Sequence, residues 1–127
     1  MPVINIVPRR SFSFSTTTTV TLATNVDVGQ WRESTLLVRL HATGLGTGST
    51  AAFNAKTIAP SRDEPNVEFV NSTAVATVSF SNTDTAGTLG RGAFTANFGA
   101  TIKLELVATK GSGTCDFTIS VDLVTKE

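Results

Sequence analysis

Residues 114–127 read TCDFTISVDLVTKE, and in them Cys115, Phe117, Ile119, Val121 and Leu123 alternate with Thr114, Asp116, Thr118, Ser120 and Asp122. A period of two puts the first set on one face of a strand and the second on the other, one dry and one wet. The only cysteine of the chain belongs to the dry set. A thiol among large apolar neighbours behaves as a small hydrophobe whose ionisation is disfavoured, so Cys115 reads as core and not as a nucleophile. Just upstream, Ile102, Leu104, Leu106 and Ala108 alternate with Thr101, Lys103, Glu105 and Val107, and Lys110-Gly111-Ser112-Gly113 separates the two runs. Two alternating runs around a glycine turn predict a β-hairpin over 100–124.

The same pattern recurs toward the N-terminus. Residues 34–43, STLLVRLHAT, place Leu36, Val38, Leu40 and Ala42 on one parity and Leu37, Arg39 and His41 on the other. Residues 51–58 form a strand with Phe53 and Ala55 inward, and 67–70 and 73–80 form one strand or two, with Ala74, Ala76, Val78 and Phe80 sharing a face. GAFTANF, 92–98, is a short strand carrying Phe94 and Phe98. SFSFSTTTTVTLAT keeps Phe12, Phe14, Val20 and Leu22 on even parity and is strand-like from about 11 to 23; PVINIV, 2–7, is a strand or an extended arm ending at Pro8. The best helical candidate is the short piece from Val28 to Arg32. APSRDEPNV, with two prolines and three charges, and SNTDTAGTLGRG are loop signals.

Eight or nine short strands with turn signals between them predict an all-β fold. The expectation is an antiparallel β-sandwich, of which the jelly roll is one form. Residues 1–10 are expected to form an N-terminal arm or edge strand and 11–127 a single sandwich domain.

Length, 127 residues, fits one domain with a core that needs no metal or disulfide. Ten basic residues balance ten acidic ones, so nothing steers the chain to nucleic acid or to an anionic membrane. Only 16% of residues are charged, while threonine and serine make up about a quarter. There is no apolar run of membrane-spanning length. MPVINIVPRR has its basic pair after its apolar residues, the reverse of a secretion signal, so synthesis in a reducing cytoplasm is expected.

The inventory for chemistry is thin. His41, the only imidazole, lies on the polar parity, so it and Cys115 point to opposite sides and form no nucleophile–base pair. One histidine and one cysteine do not build a zinc site, and Asp63, Glu64, Glu68 and Asp84 read as solvated loop acids without calcium-loop spacing. Gly44, Gly46 and Gly48 lack the strand–helix context of a dinucleotide site and read as a flexible hairpin loop. Asn71-Ser72-Thr73 matches a glycosylation triplet, a coincidence in a chain without a secretion signal. No catalytic, cofactor-binding or metal-binding residue is assigned. Trp31, in the polar setting DVGQWRES, lids one end of the core or anchors an interface.

In size, composition and strand pattern, with TNVDVGQWRESTLLVRLHATGLGTGS (24–49) as the most characteristic stretch, the chain resembles the small all-β virion proteins of tailed bacteriophages, the capsid decoration or cement proteins above all. The resemblance covers most of the chain and rests on no single motif. It implies a non-enzymatic structural protein of a virion, a symmetric homo-oligomer such as a trimer that packs on the major capsid protein or other virion proteins. The N-terminal arm would add a strand or wedge to the shell. The interface residues it points to are Val3, Ile4, Ile6, Arg9, Arg10, Trp31 and Arg32. Two alternatives stand beside it. One is a carbohydrate- or ligand-binding sandwich using Trp31, Arg39, His41 and the loop at 61–68. The other is an enzyme working through a carboxylate pair.

Overall fold

Wherever apolar side chains alternate with threonine, serine or charge, the chain runs extended, and nine strands result. In the computed structural model, described for residues 3–28, 33–60, 68–70, 73–95 and 101–126, they are β1 (Val3–Ser13), β2 (Thr18–Asp27), β3 (Glu33–Leu45), β4 (Thr50–Pro60), β5 (Glu68–Val70), β6 (Ala76–Phe80), β7 (Leu89–Phe94), β8 (Thr101–Thr109) and β9 (Cys115–Lys126). They make two antiparallel sheets. The first, sheet A, has the order β1-β9-β3-β7; the second, sheet B, runs β2-β8-β4, with β5 and β6 following one another along the far edge of β4. Apart from the β4–β5–β6 stretch, each connection passes from one sheet to the other. This interleaving is the jelly-roll form of the sandwich.

The inward residues of both sheets share one core. Leu36, Val38 and Leu40 from β3 and Ile119, Val121 and Leu123 from β9 face Phe53 of β4 and Leu104 and Leu106 of β8, all fully buried. Each such side chain contributes about 1.5–3 kcal/mol relative to exposure. Cys115, 1% exposed, is part of this core, as its parity requires. Near the β1–β2 margin Phe12 stacks on Phe117 at 5.4 Å, and Phe53 meets Phe117 edge-on at 6.4 Å, so aromatic contacts tie the two sheets together.

Several expectations change. Residues 100–124 are not a hairpin: β8 pairs with β2 and β4, whereas β9 pairs with β1 and β3. Lys110–Gly113 is therefore a corner between sheets. The run at 11–23 is likewise broken at 14–17, its halves going to different sheets. β1 continues past Pro8 to Ser13, with register shifts between Asn5 and Val7 and between Val7 and Arg10, so the proline sits at a bulge of an edge strand, where a missing N–H costs little. In β3 the register slips between Leu40 and Ala42, with His41 the extra residue. The inward parity is lost there, and Ala42, expected inside, is exposed. The helical candidate at Val28–Arg32 and the proposed strand position of Phe98 fall largely or wholly outside the described residues; Val28 itself is fully buried.

The glycine-rich stretch at 44–48 is no flexible hairpin loop either. It forms the β3–β4 corner and interlocks with the β8–β9 corner. A Cβ on Gly46 would stand 2.7 Å from the Gly113 Cα, and one on Gly113 would stand 2.5 Å from the Gly46 Cα, closer than any side chain tolerates. Across this contact Gly46 N–H donates to Thr114 O (2.8 Å) and Gly113 N–H to Thr47 O (3.0 Å). Ser49, 1% exposed, fastens it: its hydroxyl donates to Gly113 O (3.1 Å) and accepts from Gly111 N–H (3.0 Å). Absent side chains let two backbones meet, and the meeting satisfies their polar groups.

Candidate functional site

The outward residues of β9 run Asp116, Thr118, Ser120, Asp122 down the middle of sheet A; the β1 shift between Val7 and Arg10 lies opposite Ser120, and the β3 bulge falls between the partners of Ile119 and Thr118. On β3, Arg39 is the register partner of Ser120, and the extra residue His41 places Nε2 2.8 Å from the Ser120 hydroxyl. On β1, Arg9 falls in the irregular stretch between Val7 and Arg10 and is exposed. Burial pushes the His41 pKa below its ordinary value, and the positive charges of Arg9 and then Arg39 push it the same way. The two guanidinium charges therefore act together with burial to favour the neutral His41 ring. Diagonal to Arg39, Arg91 projects from β7 beside Leu37.

No carboxylate among the described residues stands within ion-pairing distance of Arg9, Arg39 or Arg91. The nearest acids along β9 are engaged otherwise. Asp122 accepts from Asn5 Nδ2 at 2.8 Å, and Asp116 accepts from the Ser13 hydroxyl at 2.7 Å. The face thus carries guanidinium groups with no direct ion pair among the described residues, alongside the Asp116 and Asp122 carboxylates.

Beside this cluster lies a hollow of about 240 Å³ whose outward walls are Ser11, Ala42, Gly44, Asp116 and Thr118. It exists because β3 has only a methyl group and a hydrogen at positions 42 and 44, next to the register partners Thr118 and Asp116. The Ser11 and Thr118 hydroxyls bond to each other at 2.8 Å along its β1 side.

Cys115 has no part in this site. Its thiol lies on the opposite face of β9, contacts Thr109 O at 3.8 Å, and has its pKa raised by burial and then by Asp116, with Lys110 opposing. Of the residues expected at an interface, Val3 is 62% exposed, Ile4 and Ile6 are half-buried against the core, and Arg10 lies 4.7 Å above the Phe12 ring as a cation–π contact. Trp31, Arg32, Asp63 and Glu64 lie outside the described residues. Asp84 accepts from Ser81 N–H at 2.8 Å within its own turn. Among the described residues no group of three or more His, Cys, Asp and Glu side chains is placed to share a metal ion. Arg39 and His41 were visible in the sequence as a polar parity; their convergence with Arg9 and Ser120 was not, because it depends on two bulges and on pairing between the ends of the chain.

No protein-family model matches the chain, and no curated protein matches it. Among solved structures it is similar to the structure of infectious bursal disease virus Gx strain, at 21% identity and a TM-score of 0.48, and to the infectious bursal disease virus VP2 subviral particle, at 18% identity and a TM-score of 0.44. Each match covers 96% of this chain and 31% of the other, so the chain spans about a third of the length of those it matches.

Proposed function

We propose that this chain is a non-enzymatic structural protein of a virion, a capsid decoration or cement protein or a minor head protein. It packs as a symmetric homo-oligomer against the major capsid protein after synthesis in the host cytoplasm. The jelly roll is shared by viral capsid, lectin and cupin domains, so the fold alone does not choose among them. The observation that carries the reading is the outer face of sheet B. Thr19, Thr21, Ala52, Thr77, Ser79 and Val107 present short side chains there, and Glu105 is held between Lys56 (3.0 Å) and Lys103 (2.9 Å). Such a face loses little side-chain entropy and exposes few unpaired charges to desolvation when it packs on a second copy. Along the free edge of sheet A, β1 with Val3, Ile4, Ile6 and Arg10 is the arm that adds a strand to a neighbouring subunit.

Light scattering on the purified chain tests the assembly, with Val107→Arg as the disrupting variant. A discrete oligomer that Val107→Arg converts to monomer is expected; a monomer at every concentration overturns it. Binding of the chain to purified capsid shells that lack it tests the placement.

A further inference from the structure

The hollow and the basic cluster share a wall and open the same way. Thr118 and Ser120 are two residues apart on one face of β9, so their side chains stand ~7 Å apart, and Ala42 adjoins His41 in sequence. A depression of about 240 Å³, with the Ser11 and Thr118 hydroxyls in its wall, therefore adjoins guanidinium groups that have no ion-pair partner among the described residues. We propose that this face binds an anionic saccharide. A single pyranose ring lies over Ala42, Gly44 and Thr118, and a sulfate or phosphate ester on it is held by Arg9, Arg39 and the His41–Ser120 pair.

Each part of the ligand meets a matching group. Guanidinium forks fit the oxygens of a tetrahedral oxyanion, and Arg9 and Arg39 have no carboxylate partner among the described residues to surrender. His41 and Ser120 share one hydrogen bond, and in either tautomer of the neutral ring one N–H or O–H of the pair remains to donate outward. In the hollow, the Asp116 carboxylate and the Ser11–Thr118 hydroxyl pair have acceptor capacity for ring hydroxyls, while Ala42 and Gly44 give the ring carbons a flat apolar floor. The volume falls below the ~300–1,000 Å³ of pockets for drug-sized ligands, which fits one ring and not a longer chain. The site lies on the outer face of sheet A, whereas packing between copies is assigned to the outer face of sheet B and to the free edge of β1, so saccharide binding and assembly are read by separate experiments.

Nuclear magnetic resonance titration of the intact chain, following the His41 ring signals and the Ala42 and Thr118 amides, tests the site. The probes are glucose 6-sulfate, glucose 6-phosphate, glucose and inorganic sulfate. Both esters are expected to shift all three residues and to bind at least about tenfold more tightly than glucose or sulfate alone. The stronger of the two esters identifies the oxyanion. Arg39→Gln, and independently Arg9→Gln, should weaken ester and inorganic sulfate alike with melting temperature unchanged. Ala42→Phe, at an exposed position, should abolish the advantage of the ester while bare sulfate still binds. The proposal is overturned if neither ester moves His41, if sulfate alone binds as well as the esters, or if Arg39→Gln leaves ester affinity intact.

Discussion

The central strands β8 and β9 and the edge strands β1 and β2 beside them obey different rules. β8 and β9 each lie between two partners, and their burial alternates residue by residue without a break, from Ile102 to Ala108 and from Cys115 to Thr125. β1 and β2 each have a single partner, and each carries two register shifts, β1 near Ile6 and near Pro8–Arg9, β2 near Leu22 and near Asn25, whose φ is 56°. A stretch paired on both sides has little slack, since an added residue would turn its apolar set to the wrong face, and β3 bulges at His41 only past Arg39, where its register with β7 ends. An edge strand absorbs extra residues and spends the resulting kinks on re-aiming side chains. Arg9 lies in such a kink, and Pro8 with Arg9 and Arg10 also limits indiscriminate pairing along that edge.

The contrast breaks if truncation hurts both kinds of strand equally. Ile119→Ala or Leu123→Ala on β9 should cost about 2–5 kcal/mol in chemical denaturation, because a fully buried side chain leaves a cavity between two sheets. Ser11→Ala or Val3→Ala on β1 should stay within ~0.5 kcal/mol. A smaller loss, about 1–3 kcal/mol, is expected for Gly113→Ala, whose new methyl group has backbone on its far side and nowhere to go. Ser49→Ala should cost about 1–3 kcal/mol by stranding the Gly111 N–H it serves.

Cys115 sharpens the picture of β9 as closed on both sides. A thiol reagent should modify it only as fast as the protein unfolds. Its raised pKa means that the folded state holds the proton more firmly than the unfolded chain. That stabilisation is complete below the ordinary thiol range and drains away as pH climbs through the folded value. A small effect belongs to Glu105, on the outward side of β8. Hydrogen bonds from Lys103 and then Lys56 hold its carboxyl below the usual range, so its contribution is complete above that range and vanishes as pH falls through the lowered value. Glu105→Gln should remove this acid-side dependence while changing neutral-pH stability by no more than ~1 kcal/mol, measured by denaturation as a function of pH.

The period of two in TCDFTISVDLVTKE and in TIKLELVAT was sufficient to locate β8, β9 and most of the core, because these two strands are paired along both sides and keep their alternation throughout. It did not say which sheet a strand joins. Lys110-Gly111-Ser112-Gly113 has the chemistry of a hairpin turn and serves as an inter-sheet corner, since what directs it is its fit against Gly46 and Gly48, about 65 residues away. His41 illustrates the same limit for the binding face. Its parity correctly put it outside, but a bulge changes the phase of everything after it, and Ala42 could not be seen as a wall of the hollow until Leu40 and Ala42 were matched to Ile119 and Thr118. Local sequence carries alternation, whereas bulges and corners are decided by strands that arrive from elsewhere in the chain.

The place of β9 between β1 and β3 has a consequence for how the molecule is made. During translation β1 and β3 emerge well before β9, and the slot between them stays vacant until the ribosome has delivered β9. Sheet A therefore cannot close by vectorial growth. Its final insertion joins residues more than a hundred positions apart, the situation in which loop closure makes folding slow. A nascent chain halted before Cys115 would expose the apolar flanks of β1 and β3 to solvent, and the arrival of β9 is what seals them.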